Sequence, residues 1–210
     1  ENVMYEKKDI FKIYKNIQCF IEEKDIVIIG IDGLGGAGKS TISIELSELL
    51  SRNQVHNLLF HIDDFIHPKA IRYNENYDEW ECYYNLQWRY DYFIQEVIEP
   101  IKSKRENNID IELYDKDHDS YFITKEYLKD KSVVIVEGIF LQREELKKIF
   151  DFMIYVDVPE KTRLDRVLSR DQYIGDEEQI ISKYDNRYFP AERRYVEKYQ
   201  PNIQADYVIM

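Results

Sequence analysis

Cysteine is scarce and long hydrophobic runs are absent, and each shortage argues against a class of protein. The chain has two cysteines among 210 residues, Cys19 and Cys82, and they form no CxxC pair. A disulfide framework is therefore not indicated, and a reducing, cytoplasmic environment is expected. No apolar run approaches the ~20 residues that a membrane helix requires, and no charged-then-apolar signal segment opens the chain. We expect a cytoplasmic protein with no membrane partner.

Positive charge is also in short supply. The chain has 41 acidic against 29 basic residues, a net charge of −12. A protein that binds nucleic acid duplexes gains most of its affinity by neutralising phosphates with lysine and arginine. We therefore expect no nucleic-acid partner. A single nucleotide needs only a few positive groups directed at one phosphate tail, so the overall acidity does not argue against nucleotide binding.

Repeats, low-complexity segments and linkers are absent as well, and 210 residues suffice for one substantial core. Strand and helix patterns alternate, which predicts a single α/β domain over residues 1–210, with a doubly wound, mainly parallel sheet. Strands are predicted at 26–31, 58–62, 133–136, 152–157 and 207–209. Helices are predicted at about 1–24, 39–52, 86–101, 144–150, 163–170 and 177–199. An alternating segment at about 104–124 predicts an inserted β-hairpin.

The stretch GLGGAGKS, from Gly33 to Ser40, follows the apolar run at 26–31 and matches the spacing G-x-x-x-x-G-K-[ST]. In such a strand–loop–helix setting, glycines allow backbone N–H groups to converge on phosphates, and the helix N-terminus adds its dipole. Lys39 reaches the outer phosphates, and the Ser40 hydroxyl is suited to Mg²⁺. The predicted nucleotide-binding residues of this loop are Gly33, Gly35, Gly36, Ala37, Gly38, Lys39, Ser40 and Thr41.

A carboxylate at the end of another core strand is expected to complete the Mg²⁺ site. Glu137 follows the β-branched run at 133–136, at the carboxyl edge where open α/β sheets bind ligands. Gly138 would then let the chain turn close to a ligand. The alternative is that Glu137 caps the strand in solvent.

Two adjacent carboxylates, Asp63 and Asp64, follow the strand predicted at 58–62. Placing them together at a ligand edge is costly, which makes them candidates for base or metal work. Successive strand residues point in opposite directions, so only one of the two can face the phosphates. Either of them can instead cap the segment that follows.

Other motifs distinguish three kinds of phosphate-loop protein. The N-K-x-D stretch of a GTPase is absent, and its D-x-x-G switch is absent too, because the match at 32–35 precedes the loop instead of following it. A motor ATPase usually ends its Mg²⁺ strand in an Asp-Glu pair, whereas here a single Glu137 precedes Gly138. The hairpin and the aromatic, acidic segment at 77–81 suggest the walls of a second pocket, which suits a small-molecule phosphotransferase.

From about Ile28 to Val208 the chain resembles the uridine kinase and phosphoribulokinase group of P-loop kinases. The resemblance rests on GLGGAGKST at 33–41, DDF at 63–65, NYD at 76–78, YDKDH at 114–118, VEGIF at 136–140, RLDRVLSRD at 163–171 and AD-x-VI at 205–209. The phosphate loop alone is generic, but the ordered set is specific. It implies a P-loop kinase fold with an inserted hairpin and a helical lid, and ATP and Mg²⁺ as cofactors.

The resemblance implies roles for the carboxylates and for one lid residue. Asp63, which opens the D-x-F stretch, would act as the base beside Mg²⁺, and catalysis would depend on it together with Lys39. Glu137 would be a Mg²⁺ partner together with Ser40. Arg170 would bind the phosphates from the lid.

For the acceptor, the resemblance places Asp78 at the ribose hydroxyls and Tyr114 and His118 at the base. Taken without the family, Tyr114 is equally compatible with a half-buried strand aromatic, and His118 with a residue of the hairpin turn. The spacing between Tyr114 and His118 is one residue shorter than usual. This leaves Asp119 as a competing candidate.

The predicted lid, at about 170–180, departs from the family pattern. Uridine kinases usually have Arg-Gly-Arg where this chain reads QYIGD at 172–176. Lys183 stands near a position where those kinases have glutamine in the nucleoside site. We predict that arginines of the following helix replace the missing lid charges, with structural salt bridges as the alternative for each. These arginines are Arg187, Arg193 and Arg194.

The sequence thus predicts an ATP- and Mg²⁺-dependent kinase of a small molecule. The resemblance favours a pyrimidine nucleoside as the hydroxyl acceptor. Other acceptors stay open: a sugar phosphate, a pantothenate-like molecule or a nicotinamide riboside. A different class also stays open, a nucleotide-binding regulatory protein without turnover, although Lys39, Asp63 and Glu137 together count against it. The small acceptor is the expected partner, and assembly into a homo-oligomer is compatible with this prediction.

Overall fold

The structure is a computed structural model that describes residues 2–104 and 107–210, with side chains from residue 7 onward. Residue 1 of the predicted N-terminal helix and residues 105 and 106 of the predicted hairpin lie outside the described residues. Within the described residues, no helix is long and apolar enough to cross a membrane.

The central sheet contains five of the seven strands in the described part of the chain. In chain order the strands are β1 (Ile26–Gly33), β2 (Asn57–His61), β3 (Asn108–Asp115), β4 (Ser120–Tyr127), β5 (Ser132–Gly138), β6 (Phe152–Val156) and β7 (Tyr207–Ile209). The order in the central sheet is β2–β5–β1–β6–β7, and every neighbouring pair is parallel. The predicted parallel sheet is confirmed.

Helices connect these strands. They are α1 (Asn2–Glu23), α2 (Lys39–Arg52), α3 (Lys69–Arg72), α4 (Glu79–Leu86), α5 (Tyr90–Tyr92), α6 (Glu99–Ser103), α7 (Glu160–Arg170), α8 (Glu177–Lys183), α9 (Phe189–Tyr199) and α10 (Pro201–Gln204). A first π-helical segment, Phe93–Ile98, joins α5 to α6, and a second, Tyr184–Tyr188, joins α8 to α9.

Both faces of the sheet carry a buried core. On one face, Ile17 of α1 and Leu46 of α2 belong to the same buried cluster as Ile29 of β1. On the other face, Phe93 of the first π-helical segment belongs to the cluster that contains Ile28. Adjacent strand residues point to opposite faces, so Ile28 and Ile29 lie in different cores. This is the doubly wound arrangement that the alternating pattern predicts.

Each π-helical segment precedes a proline in the same helix. Proline has no N–H and its ring collides with the carbonyl four residues earlier. For Pro100 and Pro190 those carbonyls belong to Glu96 and Asn186, and both lie inside the π-helical segments. Each helix is therefore disturbed on the N-terminal side of its proline.

Two predicted helices differ from the structure. The helix predicted at 86–101 is divided, because Leu86 ends α4 and a new helix starts at Tyr90. The helix predicted at 144–150 is wrong. Only a 3₁₀ turn, Lys147–Ile149, forms there, and successive three-residue turns such as Ile149 N–H to Leu146 O replace the helical pattern.

The predicted hairpin is present as a separate two-stranded antiparallel sheet of β3 and β4. Its second strand is longer than the sequence pattern indicates, reaching Tyr127. Asp119, the last residue of the connection, has a φ of 49°, in the left-handed region. Aspartate tolerates that region better than most residues because its short side chain bonds to nearby backbone. The hairpin lies beside the central sheet and carries Tyr114 towards it.

Candidate active site

The glycine-rich loop runs from the end of β1 to the start of α2 and needs glycine at two positions. Gly36 and Gly38 have φ values of 79° and 98°, in the left-handed region. A Cβ atom on Gly36 would lie 2.9 Å from the Arg163 carbonyl oxygen. The strand, the loop and the helix that the motif predicts are all in place, with Lys39 as the first residue of α2.

Lys39 and Ser40 lie at the start of α2, within reach of β5. The Lys39 ammonium donates to the Leu34 carbonyl at 3.1 Å, across the loop. The Ser40 hydroxyl donates to Glu137 Oε1 at 3.3 Å. Glu137 is the penultimate residue of β5 and is buried. The predicted meeting of loop and strand-end carboxylate therefore occurs in the structure.

Ser40 and Glu137 form an oxygen donor set that fits Mg²⁺. Protein Mg²⁺ sites use one or two carboxylates together with substrate phosphates and waters. A hydroxyl and a carboxylate beside a phosphate loop match that requirement. Among the described residues, no group of three or more His, Cys, Asp or Glu side chains is arranged to hold a metal by itself. A metal at this site would thus depend on the phosphates of a nucleotide.

Glu137 has a second partner that sequence analysis missed. His61, the last residue of β2, lies with Nδ1 2.5 Å from Glu137 Oε1. This hydrogen bond is the main cause that raises the pKa of His61. The sequence signal was weak, because one histidine at a strand end matches no motif. His61 and Ser40 contact the same carboxylate oxygen, and together they restrain its orientation.

Gly138 serves packing more directly than ligand approach. A Cβ atom placed on it would lie 2.0 Å from Cγ2 of Ile62. The space that the glycine leaves is therefore filled by a core side chain, although Gly138 also lines the cavity described below. Close packing against Ile62 is therefore a reason for glycine at this position besides the predicted turn towards a ligand.

Asp63 and Asp64 lie in different surroundings, for a reason other than strand alternation. The strand predicted to continue through Ile62 ends at His61, and Ile62–Asp64 forms a 3₁₀ turn. Asp63 lines the cavity and accepts a hydrogen bond from Trp88 Nε1 at 3.3 Å. Asp64 is not among the lining residues, and burial raises its pKa. The turn, and not the pleat, separates the two carboxylates.

These groups face a cavity of about 350 Å³. One part of its lining is the loop and its carboxylates: Gly35, Gly36, Lys39, Ser40, Asp63, Glu137 and Glu192. A second part is cationic: Lys69, Arg72, Lys116, Arg170 and Lys183. A third part consists of tyrosines: Tyr73, Tyr83, Tyr114, Tyr173, Tyr184 and Tyr188. The cavity is thus of the size of a small-molecule site, and its cationic and tyrosine lining extends beyond the phosphate loop.

Of the hairpin residues predicted to bind an acceptor, Tyr114 lines the cavity and His118 does not. The Tyr114 hydroxyl donates to Asp119 Oδ1 at 2.6 Å and accepts from Arg72 Nη2 at 3.0 Å. Burial is the first cause that raises the pKa of Tyr114, and the bond to Asp119 adds to it. The His118 side chain is 77% exposed, and its Nδ1 lies 2.7 Å from Asp115 Oδ2. This matches the alternative interpretation, in which His118 is a residue of the hairpin turn.

Asp78 has a structural partner in the helix that follows it. It is the N-cap of α4 and forms a capping box with Glu81, whose Oε2 accepts the Asp78 N–H at 3.2 Å. Asp78 is exposed and is not among the residues that line the cavity. Its predicted contact with ribose hydroxyls stays a prediction.

Arg170 and Lys183 line the cavity from the predicted lid and the helix after it. Arg170 Nε donates to Asp171 Oδ1 at 2.6 Å, and Nη2 to the Tyr184 hydroxyl at 3.2 Å. The Lys183 ammonium lies 5.7 Å from the Tyr188 ring centroid. Both cations are placed to meet a ligand in the cavity.

The arginines predicted to replace the missing lid charges are engaged elsewhere, and none of the three lines the cavity. Arg187 is buried and donates to the carbonyl of Arg72 and to Gln87 Oε1, each at 3.1 Å. Arg193 pairs with Glu160 at 3.3 Å, and Arg194 lies 3.6 Å from the Trp80 ring centroid. Their placement gives the replacement hypothesis no support.

The phosphate loop is braced by a buried ion pair that sequence analysis missed. Glu192 of α9 accepts the Gly35 N–H at 3.0 Å and pairs with Arg163 of α7 at 2.9 Å. Arg163 also donates to the Gly35 carbonyl at 3.0 Å. Burial raises the pKa of Glu192, and Arg163 opposes that shift. Arg163 lies in a recognised motif, whereas Glu192 lies in a helix that showed only helical periodicity.

A second buried carboxylate fixes the end of β1. Asp32 is fully buried, and burial raises its pKa. It accepts hydrogen bonds from Gln142 Nε2 at 3.1 Å and from the Tyr195 hydroxyl at 2.5 Å. The end of β1, from which the phosphate loop starts, is therefore held by residues that lie far along the chain.

Comparisons with known proteins identify a family and relatives of this chain. A model of the phosphoribulokinase / uridine kinase family matches residues 28–209. A uridine kinase from Staphylococcus aureus (strain JH9) is 31% identical over 153 residues, which cover 70% of this chain and 70% of that protein.

Solved structures share the fold. One described as a possible uridine kinase from Bacillus stearothermophilus superposes with a TM-score of 0.74 at 29% identity, covering 95% of this chain and 100% of that one. A D-glycerate 3-kinase from Cryptococcus neoformans superposes with a TM-score of 0.65 at 13% identity, over 87% of this chain and 82% of that one. Because the family model spans most of the sequence, this chain belongs to the phosphoribulokinase / uridine kinase family of P-loop kinases.

Proposed function

We propose that the protein is an ATP- and Mg²⁺-dependent phosphotransferase that moves the γ-phosphoryl group to a hydroxyl of a small molecule. The observation that carries this proposal is the convergence of Lys39, Ser40, Glu137 and Asp63 on one cavity beside the phosphate loop. Family membership supports the same reaction class.

The residues divide the work of phosphoryl transfer. The loop backbone and Lys39 hold the phosphate tail, and Arg170 contacts it from α7. Ser40 and Glu137 hold Mg²⁺, which when bound neutralises charge on the outer phosphates. Asp63 accepts a hydrogen bond from the acceptor hydroxyl, orients it and receives its proton late in a loose transition state. Most of the catalysis comes from positioning, because this reaction asks little covalent chemistry of the protein.

A pyrimidine nucleoside is the first acceptor to test, since the Staphylococcus aureus relative is a uridine kinase. Tyr114 would line the base, and Asp78 would reach the ribose only if the start of α4 moves. Sugar phosphates, pantothenate-like molecules and nicotinamide riboside are the alternatives within the same reaction class. A regulatory protein without turnover is the alternative of another class, and the complete set of Lys39, Asp63 and Glu137 favours an enzyme.

The test is ATP consumption across a panel of these acceptors, with Lys39→Ala as the matched variant. We expect Mg²⁺-dependent turnover with at least one acceptor, lost in Lys39→Ala because the outer phosphates lose their positive partner. Thermal unfolding checks that the variant is folded. Equal turnover in parent and variant would refute the role of Lys39. Nucleotide binding without turnover across the whole panel would favour the regulatory alternative.

A further inference from the structure

Two arginines beside the cavity are buried without a carboxylate partner. Arg72 and Arg187 are 7% and 1% exposed. Arg72 donates to the His67 carbonyl at 2.6 Å and to the Tyr114 hydroxyl at 3.0 Å. No ion pair to a carboxylate forms at either arginine among the described side chains. A buried guanidinium usually requires a counter-charge, because removing it from water is costly.

Arg72 still has hydrogen-bond capacity, and it lines the cavity. A guanidinium has five N–H donors in a planar fork, and the two bonds to His67 and Tyr114 use two of them. The Tyr114 hydroxyl lies between Arg72 and a carboxylate, because it accepts from the guanidinium and donates to Asp119. That hydroxyl is the first cause of the lowered pKa of Asp119, with Arg72 a smaller one.

Two lysines line the same cavity as Arg72. They are Lys69 of α3 and Lys116 of the hairpin turn, and the described ion pairs include neither ammonium group. Tyr73 lies against the Arg187 guanidinium, 4.1 Å from ring centroid to Cζ. Burial alone would raise the pKa of Tyr73, but Arg187, Lys183 and Arg72 together lower it. The positive charges of Arg187, Lys183 and Arg72 thus favour negative charge beside Tyr73.

We propose that Arg72, Lys69 and Lys116 form an oxyanion subsite for the acceptor, so that the preferred acceptor carries a phosphate or carboxylate group besides the hydroxyl that reacts. This inference rests on the proposed phosphotransfer and names the substrate class. Arg72 supplies the planar fork that recognises an oxyanion by two parallel hydrogen bonds. The exposed side chains of Lys69 and Lys116 add two positive charges to the subsite.

Two observations separate this subsite from the nucleotide site. Its residues come from α3 and the hairpin, whereas the phosphate tail has Lys39 of α2 and Arg170 of α7. Tyr114 ties Arg72 to the hairpin, so the subsite belongs to the inserted element. A neutral nucleoside would leave the guanidinium without an anion, and it therefore becomes the comparison acceptor.

The first experiment measures anion binding without catalysis. The protein is saturated with Mg²⁺ and a non-hydrolysable ATP analogue, which occupies the phosphate loop including its γ position. Inorganic phosphate and, separately, acetate are then titrated while the melting temperature is followed. We expect one of the two anions to raise the melting temperature by selective binding to the folded state. The shift should shrink in Lys116→Gln and in Arg72→Gln, with Arg72→Lys between them and the parent.

Lys125→Gln is the matched control, because Lys125 is an exposed lysine of the same hairpin and pairs with Asp110 at 3.6 Å. It should keep the full shift. If Arg72→Gln does not fold, Lys116→Gln and Lys69→Gln still decide the matter, since both residues are exposed. Equal shifts in the parent and in the folded subsite variants would overturn the proposal. The anion that is effective distinguishes a phosphate-bearing acceptor from a carboxylate-bearing one.

The second experiment compares acceptors in matched pairs that differ only by the anion: a sugar phosphate with its free sugar, and a hydroxy acid with its amide. Uridine is included as the neutral nucleoside. We expect kcat/KM to favour the anionic member by about tenfold or more, as for a hydrogen-bonded charge. In Lys116→Gln the preference should fall through a higher KM. Turnover of uridine with no anionic preference would overturn the subsite and leave the phosphotransfer standing.

Discussion

Asp63 and Asp64 show that two adjacent carboxylates can have very different surroundings. They are neighbours in one 3₁₀ turn, yet Asp63 opens to the cavity and is held by the Trp88 indole. Asp64 is half-buried, and burial raises its pKa while His61 and Lys116 oppose the shift. Of these two carboxylates, Asp63 alone lines the cavity in which we propose that the acceptor binds.

Asp63→Asn should lower kcat about 10²–10⁴-fold, the range expected for a lost general base. The amide keeps the shape of the carboxylate, so the affinity for ATP should change little. Measurements of kcat with the best acceptor, and of the affinity for ATP, test this prediction. Asp64→Asn is the matched control and should retain most of its activity. If the control is inactive and Asp63→Asn is active, the assignment of the base is wrong by one residue.

His118 gives a second prediction at this scale, on pH. Its hydrogen bond with Asp115 raises the pKa of His118 above its usual 6.5. The protonated form is favoured in the folded hairpin, so the stabilising contribution is complete below pH 6.5 and is lost as the pH rises through the raised pKa. An NMR titration of the His118 ring should therefore give a pKa above 6.5, and Asp115→Asn should return it towards that value. An unchanged pKa in Asp115→Asn would contradict the pairing.

At the scale of elements, the phosphate loop is held by helices from distant parts of the chain. Arg163 and Arg166 of α7 donate to loop carbonyls at Gly35 and Gly36, at 3.0 and 3.1 Å. Glu192 of α9 accepts the Gly35 N–H. The loop therefore has a defined shape before any nucleotide binds, which reduces the ordering that binding requires.

Gly36→Ala tests how tightly this brace constrains the loop. The added Cβ would meet the Arg163 carbonyl at 2.9 Å, and the φ of 79° disfavours any side chain. We expect a loss of about 1–3 kcal/mol in stability, or a shifted loop with weaker nucleotide binding. Chemical denaturation and nucleotide titration measure the two effects. Gly35→Ala is the milder comparison, since its Cβ would meet a carboxylate oxygen at 3.2 Å.

The elements also show how far sequence reasoning reaches. Apolar β-branched runs predict β1 and β5, and the loop motif predicts the meeting of Ser40 and Glu137, because parallel strands end at one edge. Glu192 and Arg72 could not be predicted, since each depends on a tertiary contact between segments far apart in the chain. The turn at Asp63 was missed for a similar reason. Its strand stops where Ile62 enters the space left by Gly138.

At the scale of the whole molecule, the sheet is enclosed by two cores, and α1 covers one of them. Ile13 and Ile17 of this helix are fully buried and lie in the same cluster as Leu46 of α2. None of the α1 residues with described side chains, from residue 7 onward, lines the cavity. The buried residues of this helix therefore contribute to stability.

Ile17→Ala should destabilise the protein by about 2–5 kcal/mol, through lost burial and the cavity that remains. The affinity for nucleotide should be unchanged at temperatures where the variant is folded. Phe11→Ala is the control on the same helix, because Phe11 is 52% exposed. It should change stability by no more than about 0.5 kcal/mol. Similar losses in both variants would show that α1 is not packed as described.

The brace between the loop and α9 also has a consequence for the order of events during synthesis. Gly35 and Glu192 are separated by 157 residues, and Asp32 and Tyr195 by 163. A ribosome adds about 5–20 residues per second, so the loop emerges roughly eight to thirty seconds before its partners exist. Until β5 and β6 have been made, the nascent chain exposes β1 with neither neighbouring strand present. Chaperones that shield apolar segments should therefore bind nascent chains of this protein until β6 has left the exit tunnel, and the loop acquires its brace only when α9 follows.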